Sequence, residues 1–427
     1  MNPRTDIPSL FRFWLPLQST WLMMAVEGPL LTAVIARLAE PKLNLAAYGV
    51  AYALAIMVEA PVIMMMSAST ALADGWDNYK RLRHFMWGLN TLITLVMLIL
   101  LFTPLWDLAI GMGIGLEKPV QDLTHMALLI LLPWPAAIGY RRFYQGLLIR
   151  SGRTRLVAYG TVLRLLTMGT SALLLMRLTT WSGAWVGAAA LSVGVVVEGA
   201  ASRVMARAAV REAKATASVE VLSYRQILHF YYPLALTSTI SLLVHPMVTF
   251  FLGQARHSLE SLAVMPVING LVFIFRTPGL SFQEAAITML GRSRENLATV
   301  RRFAALLGGG ASLLLSLIAL TPLSRVWFEG LSGLTPELAD FALTPVRILA
   351  LMPALSVLLS MQRAWLVHCR KTGPVTWASS LEVGGILLTL VLTLAWGNWV
   401  GVIAAATAFM VGRLLGVGYL WKVSPRA

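Results

Sequence analysis

Charged residues are scarce in this 427-residue chain, at 12% of the sequence, whereas 58% of the residues are hydrophobic. Charged residues make up about 25% of soluble proteins, so the composition excludes a soluble globular protein. The single cysteine, Cys369, excludes an intrachain disulfide. Acidic residues are fewer than basic ones, 19 against 34, which leaves a net charge of +15. We attribute that excess to loop arginines that meet anionic lipid, and we expect no nucleic-acid partner.

Motifs of soluble-enzyme chemistry are also lacking. The chain has no G-x-x-x-x-G-K-[ST] phosphate-binding loop, no H-E-x-x-H zinc motif and no G-x-S-x-G nucleophile elbow. We therefore expect no enzymatic activity, no cofactor, no metal site and no ATP-driven motor. The stretch "MNPRTDIPSLFRFW" lacks the ordered regions of a cleavable signal, so we expect the first apolar segment to be retained.

The chain is rich instead in apolar runs of 18 or more residues. Each run is long enough to cross a hydrocarbon core of about 30 Å as a helix. Helices satisfy their own backbone hydrogen bonds in lipid, which makes them the expected spanning element. The sequence therefore predicts an all-α polytopic membrane protein with twelve transmembrane helices, near 11–36, 46–72, 85–105, 124–148, 157–177, 184–206, 228–252, 261–290, 303–323, 341–368, 375–396 and 399–421.

The distribution of Lys and Arg predicts the orientation. If the N-terminus is inside, most of the 34 basic residues fall in cytoplasmic segments, which is the positive-inside pattern. We expect both termini in the cytoplasm and a multi-pass location in a bacterial inner (plasma) membrane. The longest polar segment, 207–227, is predicted to be a linker on the cytoplasmic face, with a regulatory docking site as the alternative.

The two halves of the sequence resemble each other in order. "FWLPLQST" (Phe13–Thr20) matches "FYYPLALT" (Phe230–Thr237), and Pro61 falls on Pro278 at the same offset. Further matches pair Thr103-Pro104-Leu105 with Thr321-Pro322-Leu323, and "GAWVGAAA" from Gly183 with "GNWVGVIA" from Gly397. This series indicates an internal duplication. Each repeat has six spans, so we expect both repeats to have one orientation and to be related by a pseudo-twofold axis along the membrane normal.

The duplication predicts two six-helix lobes, residues 1–206 and 228–427, joined by the linker 207–227. Two such lobes facing each other across a cavity would suit alternating access. We expect the protein to function as a monomer in the lipid bilayer.

Two charged residues interrupt apolar spans at equivalent repeat positions: Glu59 in "IMVEAPVIMMM" and Arg276 in "VFIFRTPGLSF". A charge at the bilayer centre costs about 2.5–3.5 kcal/mol on insertion scales, so neither is expected to face lipid. Tyr48, Tyr52 and Glu59 recur at helical spacing, and the repeat equivalent of Tyr52 is Asn269. We predict that these residues bind substrate or gate its path; a permanent structural salt bridge between Glu59 and Arg276 is the alternative.

A second deep carboxylate, Glu27, stands beside Gly28-Pro29, which we expect to break the first helix. A buried carboxylate beside such a break can take up and release protons, although a hydrogen-bonded structural role is the alternative. His245 lies beside the repeat equivalent of Glu27 and is either a core histidine or a site residue. The prolines two residues after Glu59 and Arg276 are likewise expected to kink their helices and leave carbonyls for ions or water.

Further intramembrane charges form a secondary group of candidate site residues. At an offset of 218 residues Arg164 meets Glu382, so opposite charges again face each other across the repeat. A purely structural role is the alternative for Arg164, Glu382 and Glu198. Arg142 also belongs to the secondary group: it ends the fourth span and could line a cytoplasmic vestibule, with anchoring at the lipid headgroups as the alternative.

Twelve spans in two parallel repeats resemble the MATE branch of the MOP exporter superfamily. "LAAYGVAYAL" (Leu45–Leu54) with the following Glu59-Ala60-Pro61, and "FYYPLALTSTISLLVHPMV" (Phe230–Val248), are similar to the progressive ankylosis (ANK) family of transporters. That resemblance implies efflux of small anions such as pyrophosphate, nucleotide or polycarboxylates.

The leading functional hypothesis is thus a secondary active exporter of small organic or phosphate-type anions. Arg276, His245 and Asn269 would bind the anionic substrate, while Glu27 and Glu59 would titrate or gate, with H⁺ or Na⁺ as a possible coupling ion. Two alternatives stay open: a cationic multidrug antiporter of MATE type and a lipid-linked precursor flippase.

Overall fold

The computed structural model describes residues 6–218, 220–292, 296–369, 373–395 and 397–424. Within these ranges the chain is almost entirely helical, and its one β-type pairing is an isolated bridge between Arg256 and Val400. The predicted all-α class is therefore confirmed. In chain order the helices are α1 (Ile7–Ala36), α2 (Pro41–Glu59), α3 (Met65–Leu72), α4 (Trp76–Phe102), α5 (Lys118–Ile130), α6 (Pro133–Arg150), α7 (Thr154–Leu178), α8 (Gly183–Met205), α9 (Arg207–Ala215), α10 (Tyr224–Leu242), α11 (Val244–Gly253), α12 (Ser258–Arg292), α13 (Leu297–Leu320), α14 (Leu323–Arg325), α15 (Pro336–Ile348), α16 (Met352–His368), α17 (Gly373–Ala395) and α18 (Gly401–Val423).

These helices build 12 segments that are long and apolar enough to cross a membrane. Four of the segments combine two consecutive helices: α2 with α3, α5 with α6, α10 with α11, and α15 with α16. The predicted number of spans is thus confirmed, and the predicted positions agree to within several residues at most ends.

The chain forms two compact units. The contiguous unit is Val34–Gly253, and the composite unit consists of the described residues of Met1–Ala33 and Gln254–Ala427. These units divide the chain differently from the predicted lobes 1–206 and 228–427. Most of α1 lies in the composite unit, while the linker, α10 and α11 lie in the contiguous unit. Hydrogen bonds explain why α1 belongs to the composite unit and why α10 belongs to the contiguous unit.

Buried polar side chains join α1 to α12 inside the composite unit. Trp14 Nε1 donates to Ser281 Oγ at 2.8 Å, and Ser281 Oγ donates to Gln18 Oε1 at 2.8 Å. Gln18 Nε2 then donates to Thr277 Oγ1 at 2.9 Å. Each of these groups would be costly to bury without a partner, so α1 is fixed by α12 rather than by its sequence neighbours.

In the contiguous unit, α10 contacts the turn that follows Glu59. The chain leaves α2 at Glu59 and passes through a 3₁₀ turn, Ala60–Val62, before α3 begins. The kink predicted beyond this carboxylate is therefore present. Its carbonyls accept protein hydroxyls: Ser238 Oγ donates to Ala60 O at 2.8 Å, and Tyr231 OH donates to Pro61 O.

Both α12 and α1 remain helical through Pro278 and Pro29, so the helix break predicted beside Glu27 is absent from α1. The kink predicted at Pro278 stays a prediction. Pro278 cannot donate to the carbonyl of Ile274, four residues earlier. Thr277 Oγ1 donates to that carbonyl at 2.7 Å and replaces the lost bond. At Pro29 the absence of a side chain on Gly270 lets α12 approach the ring, because a Cβ there would lie 3.0 Å from Pro29 Cγ.

Local geometry repeats between the halves at equivalent positions. Leu105 N donates to Thr103 Oγ1 at 3.4 Å, and in the second half Leu323 N donates to Thr321 Oγ1 at 3.3 Å. Each threonine is followed by a π-helical turn, Asp107–Ile114 in the first half and Val326–Leu331 in the second. These shared turns agree with the predicted duplication.

The predicted match of Gly183 with Gly397 is wrong in register. Gly183 begins α8, and the glycine that begins α18 is Gly401. Beside these glycines Ala184 N donates to Asn44 Oδ1 at 2.9 Å, and Val402 N donates to Ser261 Oγ at 3.1 Å. The similarity of the two G-x-W-V-G stretches had shifted the sequence alignment of the repeats by about one helical turn relative to the starts of α8 and α18.

The linker contains the short helix α9 and is anchored to the contiguous unit. Arg153, which precedes α7, forms two hydrogen bonds with Glu212 of α9, and one of them measures 2.8 Å. These bonds lower the pKa of the exposed Glu212 carboxyl below its usual value of 4.5. Farther along, Leu222 N donates to Asn78 Oδ1 at 2.8 Å.

Candidate functional site

A buried carboxylate, Glu198 of α8, lies at the centre of one charged cluster in the contiguous unit. Its side chain has 0% exposure and accepts a hydrogen bond from Arg141 of α6. Arg164 of α7 lies 3.3 Å away, measured from Nε to Oε2, and Gln145 Nε2 donates to Oε1 at 3.2 Å. These residues form the Glu198 cluster. Both carboxylate oxygens are thus occupied by partners from neighbouring helices.

Glu59 adds a second carboxylate that interacts with the arginines of this cluster. Its side chain is buried at the end of α2 and interacts electrostatically with Arg141, Arg142 and Arg164. Among the described residues, Glu59 Oε2 has no hydrogen-bond partner. With three arginines and two glutamates ionised, this region has one positive charge in excess. The unpartnered buried oxygen could accept a proton or another hydrogen-bond donor, whereas the positive excess beside it disfavours a bound metal cation.

A second charged cluster lies in the composite unit around one serine hydroxyl. Ser356 Oγ of α16 accepts from Arg276 Nε of α12 at 3.3 Å and from Arg413 Nη1 of α18 at 3.2 Å. Arg413 Nη2 is also 2.8 Å from Glu382 Oε1 of α17. Arg363 of α16 interacts electrostatically with both Glu382 and Arg413. These residues form the Ser356 cluster, with three arginines for one carboxylate.

The same helix pair in each unit carries an ion pair, but the signs are exchanged. In the contiguous unit Arg164 of α7 faces Glu198 of α8, whereas in the composite unit Glu382 of α17 faces Arg413 of α18. Glycine permits the close approach in both pairs, since a Cβ on Gly194 or Gly412 would meet the backbone of the opposite helix. The prediction that Arg164 and Glu382 occupy equivalent positions agrees with this geometry.

The structure distributes the sequence-predicted residues over several environments. Glu59, Arg142, Arg164 and Glu198 come together in the contiguous unit, while Arg276 and Glu382 come together in the composite unit. Their partners Gln145, Ser356 and Arg363 were not among the candidates. Serine and glutamine are ordinary residues of helical spans, so only the packing of the helices identifies them.

Five other candidates lie outside these two clusters. Tyr48 stacks on Tyr52 with ring centroids 6.0 Å apart, and Tyr52 contacts Trp134 at 5.9 Å. Glu27 of α1 is half-buried, and His245 of α11 is exposed. Asn269 of α12 is half-buried as well. Their roles in binding stay predictions.

No family model and no curated protein matches this sequence. Solved structures do match. The lipid II flippase MurJ in an inward closed conformation aligns with a TM-score of 0.75 and 15% identity, over 96% of this chain and 88% of that one. An inward-facing multidrug resistance MATE family transporter of the MOP superfamily aligns with a TM-score of 0.68 and 15% identity, over 95% and 96%.

A further similar structure is a MOP superfamily transporter from Pyrococcus furiosus, with a TM-score of 0.66 and 14% identity over 98% of this chain and 95% of that one. The reverse polarity of that protein's binding pocket suggests a different function for it. Together with the twelve apolar spans, these matches identify an integral, multi-pass membrane protein. The chain has the fold shared by the MATE and MurJ transporters of the MOP superfamily.

Proposed function

We propose that this protein is a secondary active exporter of small organic or phosphate-type anions that works by alternating access. The single observation that supports the anionic class is the Ser356 cluster. Arg276 and Arg413 share one hydroxyl acceptor, and Glu382 is the one carboxylate in the cluster. Two guanidinium groups on a neutral oxygen repel each other, so an anion between them would stabilise both.

The charge balance argues against the cationic multidrug alternative. A cation would have to enter a region where arginines already outnumber carboxylates, and like charges in a low-dielectric site are unfavourable. The same arginines would suit the phosphate groups of a lipid-linked precursor. The charge balance therefore does not distinguish a soluble anion from an anionic group that is attached to a lipid.

Glu59 is the residue that we propose for ion coupling. Its Oε2 is buried without a hydrogen-bond partner among the described residues, and three arginines act on its charge. Uptake of a proton at Glu59 would raise the positive excess of the region, whereas its release would lower it. Glu27, half-buried on α1, is a second candidate for the same role, with H⁺ or Na⁺ as the ion.

Transport into proteoliposomes tests this function directly. Pyrophosphate, citrate, ATP, a lipid-linked diphosphate and a cationic dye would be offered separately under an imposed pH or Na⁺ gradient. We expect gradient-dependent movement of one or more of the soluble anions, with loss of about 100-fold or more in the Arg276→Gln variant. Arg302→Gln is the matched control, because it removes an exposed arginine of α13.

Two other results of this transport assay would each favour a different function. Movement of the dye alone would favour the multidrug antiporter, and movement of the lipid-linked substrate alone would favour the flippase. Equal anion transport by Arg276→Gln and Arg302→Gln would contradict the assignment of the Ser356 cluster as the binding site.

A further inference from the structure

Arg413 is shared between two acceptors of different kinds. Its Nη2 lies 2.8 Å from the carboxylate of Glu382, and its Nη1 donates to the neutral hydroxyl of Ser356 at 3.2 Å. Arg276 also donates to that hydroxyl, at 3.3 Å. A carboxylate or phosphate of a ligand would form its strongest bonds with the side of Arg413 that faces Glu382, because charged acceptors bind a guanidinium more strongly than a neutral hydroxyl does.

The ion pairs Arg413–Glu382 and Arg141–Glu198 differ in how completely they are enclosed. The side chains of Glu382 and Arg413 retain 16% and 10% exposure, whereas those of Glu198 and Arg141 retain 0% and 5%. Glu198 also accepts from an amide, Gln145, in addition to Arg141. Both oxygens of Glu198 thus have partners and the side chain has no exposed surface, whereas Glu382 keeps some exposed surface beside Arg413.

We propose that Glu382 is an internal counter-ion that occupies Arg413 in the empty protein and is displaced by the anionic group of the substrate. This inference rests on the proposed transport of anions and adds the regulation of the same site. Glu382 neutralises part of the arginine charge when no substrate is bound, which lowers the cost of burying three guanidinium groups. It also competes with the substrate and thereby favours its release.

The negative charge of Glu382 acts on more than one arginine. The charged groups that interact with it are Arg413 of α18, Arg363 of α16 and Arg276 of α12. All are cations, so removal of the Glu382 charge would leave them free for the substrate.

Sulfate binding to the purified full-length protein tests the competition, because sulfate keeps its two charges throughout the neutral range. We expect the Glu382→Gln variant to bind sulfate about tenfold more tightly than the unaltered protein, since a competing charge-assisted hydrogen bond is lost. Glu284→Gln is the matched control: it removes an exposed carboxylate of α12 in the same unit and should leave sulfate affinity unchanged.

The outcomes separate this inference from the proposed function. Sulfate binding by the unaltered protein, with equal or weaker binding by Glu382→Gln, would overturn the counter-ion role and leave the anion site intact. Absence of sulfate binding in both proteins would overturn the anion site itself. If Glu382→Gln does not yield folded protein, Glu382→Asp keeps the charge but withdraws it from Arg413; binding no tighter than in the unaltered protein would then refute the proposal.

Discussion

Glu198 has no exposed side-chain surface, and its partners come from two other helices, α6 and α7. Replacement by Gln would remove the carboxylate that pairs with Arg141 and Arg164, and Glu59 would be left as the one carboxylate acting on these buried arginines. Breaking one side of a buried ion pair typically costs about 3–5 kcal/mol, so we expect the Glu198→Gln variant to unfold at a clearly lower temperature in detergent. Glu212→Gln removes an exposed carboxylate and should change the unfolding temperature little. Similar unfolding temperatures for both variants would contradict the structural importance of the Glu198 cluster.

The contact between Arg153 and Glu212 predicts a pH dependence of linker docking. Hydrogen bonds from Arg153 lower the pKa of Glu212 in the folded protein below its usual value of 4.5. A carboxyl with a lowered pKa stabilises the folded contact above its usual pKa and loses that effect as the pH falls through the lowered value. We therefore expect proteolysis of the linker to be constant from pH 8 to about 5 and to increase below about 4.5.

The Glu212→Gln variant is the control for that experiment, because it cannot titrate at this position. Its linker should be cleaved at a rate that does not depend on the charge of residue 212. An equally strong increase in cleavage at low pH in this variant would assign the pH dependence to another group.

Individual charges were easier to predict from sequence than their partners. Glu59, Arg276, Arg164 and Glu382 are conspicuous because each interrupts an apolar run. Ser356 is not conspicuous, and its two bonds to arginine depend on how α12, α16 and α18 meet. Periodicity within one helix carries no information about which face of another helix it contacts.

At the scale of elements, the turn after α2 depends on hydroxyl groups of α10. Tyr231 is 2% exposed and donates to Pro61 O. Removal of that hydroxyl leaves the part-buried carbonyl of Pro61 without this donor, which costs about 1–3 kcal/mol. We expect the Tyr231→Phe variant to be destabilised by that amount in a thermal or denaturant unfolding experiment.

The adjacent residue provides a close control. Tyr232 is 61% exposed, so Tyr232→Phe removes the same atom from the same helix without affecting a buried group. Equal stability of the two variants would show that the hydroxyl of Tyr231 does not stabilise the turn.

The positions of the spans followed from apolar length alone, but the effect of the prolines did not. Pro61 accompanies a 3₁₀ turn, whereas α12 continues through Pro278 because the hydroxyl of Thr277 binds the carbonyl that proline leaves free. A proline therefore predicts a lost hydrogen bond, and neighbouring side chains determine whether the freed carbonyl finds another donor.

At the scale of the whole molecule, the positive-inside pattern predicts topology. In a Cys369→Ser background, single cysteines at Arg153 and Lys214 should react only with reagents on the cytoplasmic side. Cysteines at Glu117 and Gly333 should react only from outside. The measurement is labelling of intact cells with a membrane-impermeant maleimide. Labelling of position 214 from outside would contradict the inward N-terminus and the even number of spans in each repeat.

The sequence repeat predicted two halves but not the composition of the compact units. Similarity between Phe13–Thr20 and Phe230–Thr237 relates the first and seventh spans to each other, and it does not reveal which unit holds either one. The polar contacts of α1 with Ser281 and Thr277, and those of α10 with Ala60 and Pro61, decide that question. Such contacts between distant segments have no signature in the sequence pattern.

The composite unit also sets an order for biogenesis. A ribosome completes Val34–Gly253 before it makes the segment that pairs with α1, so the contiguous unit can assemble while the rest of the chain is still being synthesised. During that interval α1 is already made, but Ser281 and Thr277, the partners of Trp14 and Gln18, do not yet exist. The packing of α1 against α12 is therefore a late step of assembly, which follows the synthesis of Thr277 and Ser281.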